Sequence, residues 1–140
     1  MINTKIYKSV YGLSEKLMVA AQKGDIRAFE LLYAELAAIC TDNENTAKDH
    51  PEQWETLADF TDNLEDAVNG YEKALQKAIA IDSNDHMSSI GLSMAILQVE
   101  LGQTEAAINN LQAAKVSAHN IEDEELKTEI DELLEKLLAR

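Results

Sequence analysis

The chain has very few of the residues that interrupt helices or cross-link chains. Its 140 residues include one cysteine, one proline and five glycines. A single cysteine excludes an internal disulfide and a zinc site made of cysteines alone. Five glycines and one proline are too few for an all-β fold, which needs turn residues about every ten positions. Because Ala, Leu, Glu, Gln and Lys are abundant instead, the composition predicts an all-α protein.

Basic residues and long apolar runs are also scarce. The chain has 12 Lys and Arg against 26 Asp and Glu, a formal net charge of −14. This argues against binding to nucleic acid or to an anionic membrane, since both require surplus positive charge. No segment approaches the roughly 18 consecutive apolar residues of a membrane span, and the first residues, MINTK, do not resemble a secretory signal. We therefore expect a cytoplasmic protein.

Apolar residues recur at steps of three and four along almost the whole chain, which predicts about seven helices. Tight breaks fall at Gly24, Asn63 and Gly102, 39 residues apart both times. A polar stretch before Pro51 is the one long loop, and proline suits the first turn of the next helix. The pattern predicts a single all-α domain of three antiparallel helix-turn-helix hairpins and a C-terminal capping helix. The hairpins span about 3–41, 51–81 and 85–118, the loop 41–50 and the capping helix 121–139.

An internal repeat of low similarity accompanies these breaks. A shift of 39 residues aligns Met18, Leu57 and Ile96 before the breaks. The third hairpin contains LGQTEAAI from Leu101, and the second opens with WETLA and closes with AIAIDSN. These segments resemble the tetratricopeptide repeat family, whose helical hairpins of about 34 residues stack into a right-handed superhelix. The resemblance covers residues 51–118 and, more weakly, 6–41.

The chain departs from the family pattern in three ways: Ser83 replaces the usual closing proline, the second hairpin lacks the turn glycine, and the spacing is 39 residues. The resemblance implies a non-enzymatic adaptor or scaffold that binds a protein or peptide in a groove lined by the first helix of each hairpin. The apolar groove candidates are Leu57, Phe60, Leu92, Ile96 and Val99, which are equally suited to the core between hairpins.

Negative charge is concentrated in the part that best resembles the repeat. Residues 51–140 carry −13 of the net −14. A basic or amphipathic partner would be attracted there, and its association would weaken as salt is added. We take Asp59, Asp62 and Glu65 as candidate partner-binding carboxylates. A solvated acidic face that maintains solubility is the alternative interpretation.

The sequence predicts no catalytic residue, no cofactor and no metal site. His50, His86 and His119 each adjoin an Asp or Asn near a helix start, and no two have the spacing of three to five residues that pairs imidazoles on one helix face. We interpret them as capping or solvated histidines. Cys40 lies at the end of an apolar helix face, where a packed thiol is expected rather than a nucleophile.

Two other functions fit the same sequence. The last helix carries a wide leucine face that could pair with a second copy of the chain to form a homodimer. Its members are Leu133, Leu134, Leu137 and Leu138. Alternatively, rows of carboxylates could mimic nucleic acid and occupy a basic protein. The carboxylates in question are Asp59, Asp62, Glu65, Asp66 and Glu72.

Overall fold

A computed structural model describes residues 3–139, and this part of the chain folds into seven α-helices without strands. The helices are α1 (Thr4–Lys23), α2 (Ile26–Asn43), α3 (Pro51–Asp59), α4 (Leu64–Ala80), α5 (Asn84–Glu100), α6 (Thr104–Ala118) and α7 (Glu124–Leu138). The all-α prediction is confirmed. Two boundaries differ by more than one residue: α2 continues through Asn43, and α7 begins at Glu124 because Asp123 caps it and Ile121 is buried ahead of it.

Local capping explains where the helices begin and end. Gly24 (φ 68°) and Gly102 (φ 77°) adopt the left-handed conformation after α1 and α5, which glycine enters without a steric penalty. The middle break uses Asn63 instead, whose side chain accepts a hydrogen bond from the Asp66 N–H at the start of α4. Asp25 caps α2 in the same way. The three predicted breaks thus have two chemical causes.

The helices pack in a regular order. Each helix contacts the next, and α1 also contacts α3, α3 contacts α5, and α5 contacts α7. Within residues 3–139, α2, α4 and α6 make no corresponding contacts with one another. The odd-numbered helices therefore form one layer and present a shared face, while the even-numbered helices lie behind them.

Three apolar clusters make up the core. Leu17 and Leu36 are fully buried in the first hairpin, Ile90 and Met94 lie with Trp54 between the second hairpin and α5, and the third cluster joins α5 and α6 to α7. Leu57 packs against the first two clusters and so connects them.

Cys40 is a packed thiol, as predicted. It is fully buried, and its Sγ donates to the Gln53 carbonyl oxygen at 3.3 Å. Burial, together with the nearby charges of Asp49 and Glu44, raises the pKa of Cys40 to about 12. The thiolate is therefore strongly disfavoured at neutral pH.

No helix within residues 3–139 has both the length and the apolar character that crossing a bilayer requires.

Candidate partner-binding groove

The apolar residues predicted to line a groove lie mostly in the core. Leu92 is 6% exposed, and Val99 packs against the cluster that joins α5 and α6 to α7. Leu57 and Phe60 are half-buried against the first hairpin. Ile96 is the exception, with 46% of its surface exposed. The structure therefore favours the core interpretation for four of these five residues. Leu57 and Phe60 pack against the first hairpin, and Leu92 and Val99 pack against α6 and α7.

The three predicted carboxylates are not brought together. Asp59 lies on the layer of odd-numbered helices, Asp62 lies in the turn between α3 and α4, and Glu65 is exposed in the first turn of α4. Glu65 stands where a negative charge stabilises the positive end of the helix dipole.

A different group of acidic residues does converge. A groove of about 540 Å³ runs along α3 from Glu52 to Asp59 and crosses the N-terminal parts of α5 and α7, and we call it the acidic groove. Its carboxylates are Glu52, Glu55, Asp59, Asp85, Asp123, Glu125 and Glu129. The other lining residues are Thr56, His86, Ser89 and Leu126, so no Lys or Arg of the described chain lines it. Its negative charge is balanced by no permanent cation.

The lysines that could have balanced this charge are used elsewhere. Lys73 and Lys77 are the only Lys or Arg residues of positions 51–100. Lys73 Nζ lies 2.7 Å from Glu44, and Lys77 Nζ lies 2.9 Å from Asp49. Both ammonium groups also lie over the Trp54 ring, 4.7 and 5.7 Å from its centroid. The two lysines hold the 44–50 loop against α4, so they do not neutralise the negative charge of the acidic groove.

His86 lies between two glutamates of the acidic groove. Its Nδ1 is 3.0 Å from Glu55 Oε1, and its Nε2 is 3.7 Å from Glu52 Oε2. Ser89 Oγ donates to the other Glu55 oxygen at 2.7 Å. The hydrogen bond to Glu55 raises the pKa of His86, with burial acting in the opposite direction. We call Glu52, Glu55 and His86 the His–Glu cluster.

His50 contacts two members of this cluster, Glu52 and His86. Its Nδ1 accepts a hydrogen bond from the Glu52 N–H at 3.1 Å, which confirms a predicted capping histidine. His50 is buried, and its ring packs edge-to-face on that of His86, with 5.2 Å between centroids. Burial, followed by repulsion from His86, lowers the pKa of His50 to about 4, so its ring is neutral at pH 7.

Asp59 forms the end of the acidic groove next to the core. It is exposed as a residue, yet its carboxylate accepts a hydrogen bond from the Tyr71 hydroxyl. Desolvation, together with the charges of Glu55 and Glu52, raises the pKa of Asp59 to about 6, although the Tyr71 hydrogen bond acts to lower it. Desolvation is the main cause of this shift, and the neighbouring carboxylates add to it.

A second cleft, of about 460 Å³, lies between the first two hairpins. Phe29, Tyr33 and Phe60 form its aromatic wall, and the Tyr33 hydroxyl lies 2.8 Å from Thr61 Oγ1. Phe60 and Asp62 are the two predicted partner-binding residues that it contains. It is separate from the acidic groove, whose lining shares no residue with it.

The leucine face of α7 is largely internal, contrary to the exposed face on which the homodimer hypothesis was based. Leu134 and Leu137 are 7% and 3% exposed, and Leu133 packs partly against the same cluster. Leu138 is 56% exposed. The face is buried because α7 packs on both α5 and α6.

The repeat alignment predicts a groove lined by apolar residues. The acidic groove is instead lined mostly by polar residues on another side of the same helices. Glu52, Glu55 and Asp59 recur at steps of three and four along α3, as Glu125 and Glu129 do along α7. That spacing is the signal from which the groove could have been predicted.

The tetratricopeptide resemblance stays a prediction from the residues. Comparison of the chain with protein-family models, with curated proteins and with solved structures finds no match in any of the three.

Proposed function

We propose that the protein is a non-enzymatic interaction module that binds a basic segment of a partner protein in the acidic groove. The observation that carries this proposal is the convergence of seven carboxylates from three helices on one groove that no Lys or Arg of residues 3–139 enters. A ligand rich in Lys or Arg would relieve the repulsion among them. Such complementarity accelerates association and selects against acidic partners.

The packing order supports the same function. The acidic groove lies on α3, α5 and α7, which belong to the layer of odd-numbered helices. In the tetratricopeptide family, which the sequence resembles, the first helix of each hairpin lines the partner groove. Here α3 and α5 are first helices of hairpins, and α7 continues their layer. Thr56, Ser89 and Leu126 add hydroxyl and apolar contacts within the groove.

Peptide binding tests the proposal directly. A fluorescent peptide that alternates Lys or Arg with apolar residues is titrated with the protein, with an acidic peptide of equal length as the specificity control. Binding of the basic peptide is expected, and it should weaken steeply between low and physiological salt.

Two double variants distinguish the effect of the groove carboxylates on peptide binding from the effect of the overall net charge. Glu125→Gln with Glu129→Gln removes two groove charges from α7, and Glu132→Gln with Glu135→Gln removes two exposed charges from the same helix outside the groove. We expect the first pair to weaken peptide binding by about fivefold to tenfold and the second by less than about twofold. Equal losses for both pairs would show that net charge, and not the groove, attracts the peptide.

A further inference from the structure

We propose that Glu52, Glu55 and His86 form a binding site for a divalent first-row transition metal such as Zn²⁺. One ligand atom from each residue lies within 4.8 Å of the other two. The site combines two carboxylates of α3 with an imidazole of α5, so it is a mixed nitrogen and oxygen donor set. It lies within the acidic groove but does not depend on the binding of a partner.

The donor chemistry favours a transition metal over Mg²⁺ or Ca²⁺. Imidazole nitrogen suits Zn²⁺ and its neighbours, whereas Mg²⁺ and Ca²⁺ prefer oxygen alone. Zn²⁺ binds nitrogen and carboxylate oxygen at about 2.0–2.2 Å, which places adjacent ligands roughly 3.0–3.5 Å apart. Glu55 Oε1 and His86 Nδ1 are 3.0 Å apart. Rotation of the Glu52 side chain would supply the third ligand, and water would complete the coordination.

The surroundings orient the ligands before a metal arrives. Ser89 Oγ donates to Glu55 Oε2 at 2.7 Å and so leaves Oε1 facing the imidazole. Outer hydrogen bonds of this kind fix the orientation of metal ligands. The Glu52 backbone N–H is held by His50, which fixes the first turn of α3. All three ligands are half-buried and stand on helices rather than on a loop.

The electrostatic environment also favours a cation at this position. The Glu52 and Glu55 carboxylates lie at the two nitrogens of the His86 ring, so two negative charges are close to this position. Within the described residues, His86 is the one basic side chain in the groove. A divalent ion would supply positive charge beside these two carboxylates.

Zinc titration of the full chain tests the site. Isothermal titration calorimetry with Zn²⁺ should show one saturable site per chain. His86→Gln and Glu55→Gln should each weaken it by about tenfold or more. His119→Gln, which alters an exposed histidine outside the cluster, should leave the affinity unchanged. An affinity unchanged by His86→Gln, or equal affinity for Mg²⁺, would overturn the proposal in favour of diffuse attraction of cations to the groove.

Two further measurements keep the test decisive. If a variant unfolds, the imidazole nitrogen resonances of His86 in the unmodified protein still report ligation, and no change on adding one equivalent of Zn²⁺ would overturn the site. The Glu125→Gln and Glu129→Gln variant should retain its zinc affinity within about twofold, since neither residue belongs to the cluster. Loss of peptide binding and loss of metal binding are therefore distinguishable.

Discussion

Gly91 of α5 lies directly against Ala114 of α6. A Cβ atom added to Gly91 would be 2.9 Å from the Ala114 Cβ and 3.4 Å from the Asn110 carbonyl oxygen. Real Cβ atoms essentially never lie within 3.0 Å of another heavy atom, so the two helices cross where one of them has no side chain. This contact sets the spacing of the third hairpin, on which α7 packs.

Gly91→Ala should destabilise the protein. Forcing the helices apart should lower the free energy of unfolding by about 1–3 kcal/mol. The better helix propensity of alanine offsets less than about 1 kcal/mol of this loss. Urea unfolding followed by circular dichroism measures the difference. Gly12→Ala in α1 is the matched control, since a Cβ there meets nothing within 4 Å, and it should stabilise by about 0.5–1 kcal/mol. Equal effects at the two positions would contradict close packing at Gly91.

Asp49→Asn should loosen the 44–50 loop. The Asp49 carboxylate accepts hydrogen bonds from Trp54 Nε1 at 2.8 Å and from the Asn45 N–H at 2.9 Å, and it pairs with Lys77. Removing its charge should lower the free energy of unfolding by about 1–3 kcal/mol at pH 7. Fluorescence of Trp54, the single tryptophan, reports the transition.

The same substitution should change how stability depends on acid. Burial alone would raise the pKa of Asp49, but hydrogen bonds from Lys77, Asn45 and Trp54 outweigh it and lower the pKa. A lowered pKa contributes stability above the ordinary value of about 4, and this stability is lost as pH falls further. Asp49→Asn should therefore reduce the loss between pH 4 and pH 2. Asp42→Asn, at an exposed residue near the end of α2, should change stability by less than about 0.5 kcal/mol.

Asp59 should titrate at about pH 6, as followed by carbon NMR of its carboxyl group. Since its pKa is raised in the folded state, its contribution to stability is greatest below about pH 4 and declines as pH rises to about 6. Tyr71→Phe removes a hydrogen bond that favours the carboxylate, so the midpoint should rise further. A midpoint near 4 in both proteins would show that the acidic groove is well hydrated at this end.

The sequence predicts the helices well because their signals are local. Periodicity locates all seven, and Gly24 and Gly102 mark their breaks by a backbone conformation that few other residues adopt. Loop 41–50 is shorter than predicted because α2 continues two residues further, to Asn43, whose side-chain amide donates to the Ile39 carbonyl oxygen. Such boundary shifts depend on single hydrogen bonds that periodicity does not encode.

The site was less predictable because it depends on contacts between helices. Glu55 and His86 are 31 positions apart and meet only when α3 and α5 pack. A repeat alignment shows which positions are equivalent, but it does not fix how each helix is rotated. The alignment therefore predicts a groove position for Leu92, which is buried, and gives no signal for Glu52, which lines the acidic groove.

Truncation of Leu134 should destabilise the protein far more than truncation of Leu138, which lies one helical turn away on α7. Leu134 is 7% exposed and packs in the third cluster, so Leu134→Ala should cost about 2–4 kcal/mol in urea unfolding. Leu138 is 56% exposed, and Leu138→Ala should cost less than about 0.5 kcal/mol.

The same pair tests the homodimer hypothesis. Leu134 and Leu137 are buried in the core, so Leu138 is the main leucine of this face that a second copy of the chain could contact. One exposed leucine provides far less apolar area than a stable dimer buries. Leu138→Glu should therefore leave the sedimentation coefficient unchanged at micromolar concentration. A shift from dimer to monomer on this substitution would instead show that α7 pairs with its twin, and a dimer that persists in the variant would point to a different interface.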